Sequence, residues 1–104
     1  MKRVKRRYLA LQLEMDNGVP SEKELMDAVW GSVARLYGEV GASLTSMTLI
    51  NFDNSCKIAV IRTSLETLDS VRSSLACLTS IAGKKTSVHV LAVSGTIKSL
   101  SKNF

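Results

Sequence analysis

A chain of 104 residues has room for one domain around a single modest core. A hydrophobic share of 45% with one proline and six glycines excludes a disordered polymer, and no apolar run approaches the roughly 20 residues that span a bilayer. The net charge of +5 is unevenly placed: Lys2, Arg3, Lys5, Arg6 and Arg7 hold the whole excess, and the nine other basic residues balance nine acids.

Residues 1–7 therefore read as a basic N-terminal arm, with a single domain over 8–104. Such an arm suits a polyanion partner, nucleic acid first, or is a solvated terminus. The opening, "MKRVKRRYLALQLEM", puts cations before apolar residues as a signal peptide does. Its apolar part alternates with Gln12 and Glu14 and lacks a small-residue cleavage site, which rejects that reading. No membrane is expected, and the cytoplasm is the expected compartment. Cys56 and Cys77 are isolated, with no CxxC pair, so the expectation is two buried thiols.

Residues 8–15 alternate with period two, Leu9, Leu11, Leu13 and Met15 on one side, and predict a strand. "DNGVP" ends it. Ser21 and Glu24 then form a capping box. Leu25, Met26, Val29, Trp30, Val33, Leu36 and Tyr37 follow at helical spacing, with Gly38 as the stop, and Trp30 and Tyr37 read as core. Residues 46–53 and 56–62 predict a hairpin about Asn54-Ser55. Thr63 and Glu66 make a second capping box. Leu65, Leu68, Val71, Leu75, Leu78 and Ile81 predict a second helix, ended by Gly83. Residues 87–93, "SVHVLAV", are a strand apolar on both faces, and a short terminal helix follows Ser94.

The order βαββαβ predicts an α+β, ferredoxin-like (RRM-like) sandwich: a four-stranded antiparallel sheet in order 4-1-3-2, with two helices on one face. That topology brings the start of the first strand beside the ends of the third and fourth. Lys5, Arg6 and Arg7 would then meet Arg62, Ser94, Gly95, Thr96 and Lys98 on one rim. Gly95 would let the backbone turn out of the strand or let another backbone come close. On local sequence "SGT" reads first as an ordinary capped strand-to-helix turn, and the converging cations raise the reading of a phosphate site. The second sheet face, with Ala10, Gln12, Ile50, Phe52, Ala59 and Ile61, is expected to be too apolar for water. The terminal helix, through Ile97 and Leu100, would cover part of it. Ile50, Phe52, Ala59 and Ile61 are the candidate protein-partner surface.

No catalytic constellation is legible. His89, the only histidine, lies inside a strand; Asp16, Glu39, Asp53 and Glu66 have no metal-ligand spacing; and "GEVG" and "AGKK" lack the pattern of a phosphate loop. An RNA recognition motif needs aromatics on its first and third strands, and "CKIAVIR" has none, with only Tyr8 at the edge of the first. Sequence-specific reading by the sheet is not expected; shape and phosphate recognition stays open.

Six segments in order carry a resemblance: "KRRYLALQLE" at 5–14, "AVWGSVARLYGEVGA" at 28–42, "INFD" at 50–53, "AVIRT" at 59–63, "VRSSLACLTSIAGKK" at 71–85 and "VSGTIKSL" at 93–100. Together they resemble the protein component 2 family of archaeal and eukaryotic ribonuclease P. The resemblance implies a non-catalytic subunit of an RNA-based endonuclease that removes the 5′ leader from precursor tRNA. It implies no cofactor in this chain, with magnesium held by the RNA. Its implied partners are ribonuclease P RNA, precursor tRNA indirectly, and the barrel-shaped ribonuclease P protein component 3, often two copies of each protein. The implied RNA-binding residues are the arm, the rim and Lys102; many relatives carry a longer basic tail beyond this point. The other reading left open is a ferredoxin-like regulatory domain that binds a small metabolite.

Overall fold

The computed structural model describes residues 5–15 and 18–101. The elements run β1 (Arg6–Met15), α1 (Glu22–Leu44), β2 (Thr48–Asp53), β3 (Ile58–Ser64), α2 (Leu68–Ala76), β4 (Ser80–Ile81), β5 (Lys84–Ser94) and α3 (Ile97–Ser101). The sheet is antiparallel, in the order β2-β3-β1-β5-β4, so β1 lies at its centre. Arg6 and Arg7 belong to β1 rather than to an arm.

The sheet thus has five strands where four were expected, and the reason lies after α2. The predicted second helix stops at Ala76, with Cys77 as its cap. Residues 80–81 pair instead with 84–85 through a two-residue turn, where Ala82 and Gly83 take φ of 52° and 80°. Two positive φ values in succession suit the twist of a tight hairpin, so Gly83 is a hairpin residue and not a helix stop. The expected capping box at Thr63 does not form either. Thr63 lies in β3, and its hydroxyl donates to the Thr45 carbonyl at 2.9 Å. A 3-10 turn, Leu65–Thr67, leads into α2 instead.

Ser21 and Glu24 do form their reciprocal cap at the start of α1. The helix passes through Gly38, whose φ of 78° and ψ of 169° break it into two runs. Only glycine takes that conformation at little cost. One face of the sheet meets α1 and α2. Leu9, Leu11 and Leu13 of β1 pack there with Ala59, Ile61, Leu25, Val29, Val71, Leu75 and Ile81. Ser32 of α1 donates to the Ser74 carbonyl at 2.7 Å, joining the two helices inside the core.

The buried stripe of α1 is narrower than its apolar pattern. Leu25, Val29, Ser32 and Val33 are buried, whereas Trp30 and Tyr37 are 41% and 45% exposed and so do not form the core expected of them. With Leu36, Val40 and Leu44 they leave an apolar surface on this helix. Cys56 and Cys77, expected to be buried, are both exposed, in the β2–β3 turn and at the end of α2.

On the other face, Ala10 and Val60 are buried beneath Leu100 of α3, with Tyr8, Ile50 and Ala92 around them. Three of the four residues expected to form a partner surface there face the helices instead. Ala59 and Ile61 stand opposite Leu11 and Leu9, and directly opposed residues share a face. Phe52 joins the helix side because β2 bulges between Leu49 and Asn51, which shifts its alternation by one residue. Of those four only Ile50 keeps its expected side, beside Ala10, which also lies where it was expected.

Candidate nucleic-acid interface

Register places the predicted rim. Arg6, Arg7 and Tyr8 of β1 oppose Ser64, Thr63 and Arg62 of β3, while Tyr8 also opposes Ser94 of β5. The Leu65 amide donates to the Lys5 carbonyl at 2.8 Å, which ties the entry of β1 to the end of β3. Residues nearly ninety positions apart thus occupy one edge.

The Arg7 side chain lies alongside Gly95: a Cβ added to Gly95 would stand 3.6 Å from Arg7 Nη1. Gly95 does not adopt the left-handed φ found at Gly18, Gly38 and Gly83. What approaches it is a guanidinium, not the second backbone that the sequence suggested. Arg7 Nη1 also donates to the Arg6 carbonyl at 2.9 Å.

The hydroxyls beside Gly95 shape the exit turn. Thr96 Oγ1 accepts from the Ser99 amide at 3.1 Å and caps α3, and Ser94 Oγ accepts from the Thr96 amide at 3.4 Å. Each retains its own O–H for an outside acceptor. Lys98 is exposed in the first turn of α3. Lys2, Arg3 and Lys102 lie outside the described residues.

Among the described residues the cations of the rim form no ion pair. No carboxylate among the described residues lies within 4.0 Å of Lys5, Arg6, Arg7, Arg62 or Lys98; the acid–base contact found lies further along β1, between exposed His89 Nε2 and Glu14 Oε2 at 3.6 Å, an ion pair only when the imidazole is protonated. Cations grouped without counter-charges repel one another and gain from a polyanion. Among the described residues no cluster of three or more His, Cys, Asp or Glu could hold a metal ion.

Sequence reasoning missed a second basic group. Lys57 and Lys85 line a cleft of about 320 Å³ with Leu13, Glu14, Met15, Thr86 and Ser87, at the far end of β1. Lys57 takes a φ of 56°, and Gln12 Nε2 donates to the Cys56 carbonyl at 2.8 Å, clamping that turn. The positive φ gave no sequence signal, because lysine rarely adopts it.

The model of the Rpp14/Pop5 family matches residues 7–104. The chain belongs to the Rpp14/Pop5 family. It is 34% identical over 102 residues to ribonuclease P protein component 2 of Pyrococcus furiosus, covering 98% of this chain and 84% of that protein. The protein of the same name from Methanosarcina mazei is 35% identical over 102 residues, covering 98% and 85%. Among solved structures, a chain of yeast ribonuclease MRP seen by cryo-electron microscopy shares the fold, with a TM-score of 0.75 at 17% identity, over 92% of this chain and 78% of that one. Family membership and the observed α+β fold with its antiparallel sheet agree.

Proposed function

We infer that this chain is an RNA-binding protein subunit of ribonuclease P, supporting RNA-catalysed removal of the 5′ leader from precursor tRNA. The observation that carries this reading is its likeness, over nearly all its length, to ribonuclease P protein component 2 from several archaea. The cation rim supports it physically. Lys5, Arg6, Arg7, Arg62 and Lys98, with Lys2, Arg3 and Lys102, would screen the repulsion between RNA phosphates. The RNA could then reach its active shape at lower magnesium, the ions being held by the RNA. The chemistry belongs to the RNA, and no residue of this chain is assigned a catalytic step. The working compartment is the cytoplasm.

The protein partner in this reading is ribonuclease P protein component 3. The exposed apolar surface on α1, around Trp30 and Tyr37, offers it more than the second sheet face, where Ala10 and Val60 are covered by Leu100 and from which Ala59 and Ile61 are turned away. Apolar aromatic surface at that level of exposure is costly in water and suits an interface core.

The test is the salt dependence of RNA binding. Substituting Arg6, Arg7 and Lys98 together by alanine is expected to weaken binding and to flatten the slope of log K against log salt by about 2 units, on the order of one counterion per contact. An unaltered slope would overturn the reading of this rim.

A further inference from the structure

A single row of side chains crosses the second face of the sheet at the rim. Thr48 stands opposite Arg62, Arg62 opposite Tyr8, and Tyr8 opposite Ser94. Directly opposed residues of an antiparallel ladder share a face. Tyr8 packs with Ala10, Val60 and Leu100, which fixes that face as the one turned away from α1 and α2. Strands about 4.8 Å apart spread the four side chains over roughly 14 Å. The next row inward is apolar, with Val60, Ala10 and Ala92 in register and Leu100 over them. The sheet therefore presents an apolar row roofed by α3 and, beside it, a polar row containing one ring and one guanidinium.

The atom that decides the matter is Arg62 Nε. It is buried and finds no hydrogen-bond partner among the described residues. Proteins avoid that arrangement, because an unpaired buried donor has given up its hydration for nothing. Arg62 as a whole is only part-buried, as is Tyr8. The arginine head can therefore swing outward on its long stem. A ligand that draws it out pairs Nε and an Nη with two acceptor oxygens at once. Phosphate has that geometry, and the fork of arginine fits it better than the point charge of lysine. The tyrosine ring directly across the strand gap supplies a flat π surface of the kind on which unpaired bases stack.

We propose that this row seats one unpaired nucleotide of the bound RNA, its phosphate on the Nε–Nη fork of Arg62 and its base on Tyr8. Ser94 flanks the seat with a hydroxyl donor, and Thr48, whose O–H donates to the Ser46 carbonyl at 3.5 Å, flanks it with an acceptor oxygen. The proposal rests on the ribonucleoprotein reading above and names what that surface selects: single-stranded RNA over duplex. Stacking on one ring is sequence-tolerant, since every base has a π-face, and no base edge is read.

The experiment measures binding of the full chain, by fluorescence anisotropy, to two RNA probes of equal phosphate count: a hairpin with an unpaired loop and a blunt duplex. Arg62→Lys keeps the charge and removes the Nε–H. Tyr8→Leu keeps apolar packing against Leu100 and removes the ring. Each is expected to lose about tenfold in affinity for the hairpin and less than about twofold for the duplex. Arg6→Ala with Arg7→Ala is expected to weaken both probes alike. Arg62→Lys binding the hairpin as tightly as the unaltered chain, or losing equally on both probes, overturns the seat while leaving the ribonucleoprotein reading intact. If the unaltered chain binds neither probe, the broader reading falls and the seat with it. Independently of any variant, the Arg62 Nε–H resonance of the unaltered protein must shift when the hairpin is added and stay put with the duplex; an unmoved resonance also overturns the proposal.

Discussion

Replacing Leu100 by alanine asks how the second face of the sheet is closed. Leu100 is 1% exposed and seals Ala10 and Val60. Leu11, wholly buried on the opposite face, sits in the cluster shared by the sheet, α1 and α2. A leucine truncated where the surroundings cannot collapse costs about 2.7–5.0 kcal/mol, and Leu11→Ala belongs in that range. Leu100 is held differently. The helix α3 has five residues, too few to persist unsupported. Losing its anchor lets the segment undock rather than leave a cavity. Undocking returns backbone freedom of about 1 kcal/mol per residue, which offsets much of the lost burial. Leu100→Ala is therefore expected to cost about 1–2 kcal/mol, below the range of Leu11→Ala. Urea denaturation of both variants gives the two numbers. Amide exchange gives the mechanism. The Leu100 amide donates to the Thr96 carbonyl at 3.1 Å and the Ser99 amide to Thr96 Oγ1 at 3.1 Å. Both amides should lose protection in Leu100→Ala while β1 stays protected. A cost equal to that of Leu11→Ala, with the α3 amides still protected, would refute the reasoning.

Three further outcomes are expected. Ser32→Ala removes the hydroxyl that satisfies the Ser74 carbonyl, one of the last four carbonyls of α2 and so without a partner inside its own helix; denaturant unfolding should show a loss of about 1–2 kcal/mol. Trp30→Ala and Tyr37→Ala should each cost less stability than the about 3–5 kcal/mol of truncating a wholly buried ring, since both are only about half buried, yet together abolish co-elution with component 3, the proposed partner; retained co-elution would move the interface elsewhere. Stability should also fall in acid through two carboxylates. The Ser21 backbone amide and hydroxyl hold the Glu24 carboxyl below its ordinary value, and the Cys56 and Ser55 amides do the same for Asp53. Depressed folded values mean that the unfolded chain binds more protons. The contribution is complete above the ordinary carboxylate range of about 4 and disappears as pH falls through the lowered folded values. Glu24→Gln with Asp53→Ala should flatten stability against pH in that window, by urea unfolding at a series of pH values, and an unchanged acid slope would refute it.

Much of the architecture was legible because it rests on local rules. Ser21 and Glu24 announced the start of α1, and the alternation of Leu9, Leu11 and Leu13 announced β1 with its core face. Antiparallel pairing then required Arg7 to neighbour the end of β3, and Ser94 to neighbour Tyr8. Where rules failed, the cause is specific. Residues 58–61 are apolar at four consecutive positions, so alternation cannot say which two face the helices; pairing with Leu9 and Leu11 chose Ile61 and Ala59. The bulge beside Ile50 reversed the phase of β2 with no glycine to mark it.

Residue types and their order thus determined by themselves the family, the element types for most of the chain and the concentration of excess charge in its first seven residues, since capping, periodicity and charge placement are properties of short stretches. Tertiary structure alone decided that Trp30 and Tyr37 face water, because the stripe a helix buries is set by the width of its partner and not by how many apolar residues it carries. It alone aligned Thr48, Arg62, Tyr8 and Ser94 across three inter-strand pairings, and it alone left Arg62 Nε buried without a partner among the described residues. Those facts depend on register and packing between strands far apart in the chain, which no local pattern encodes.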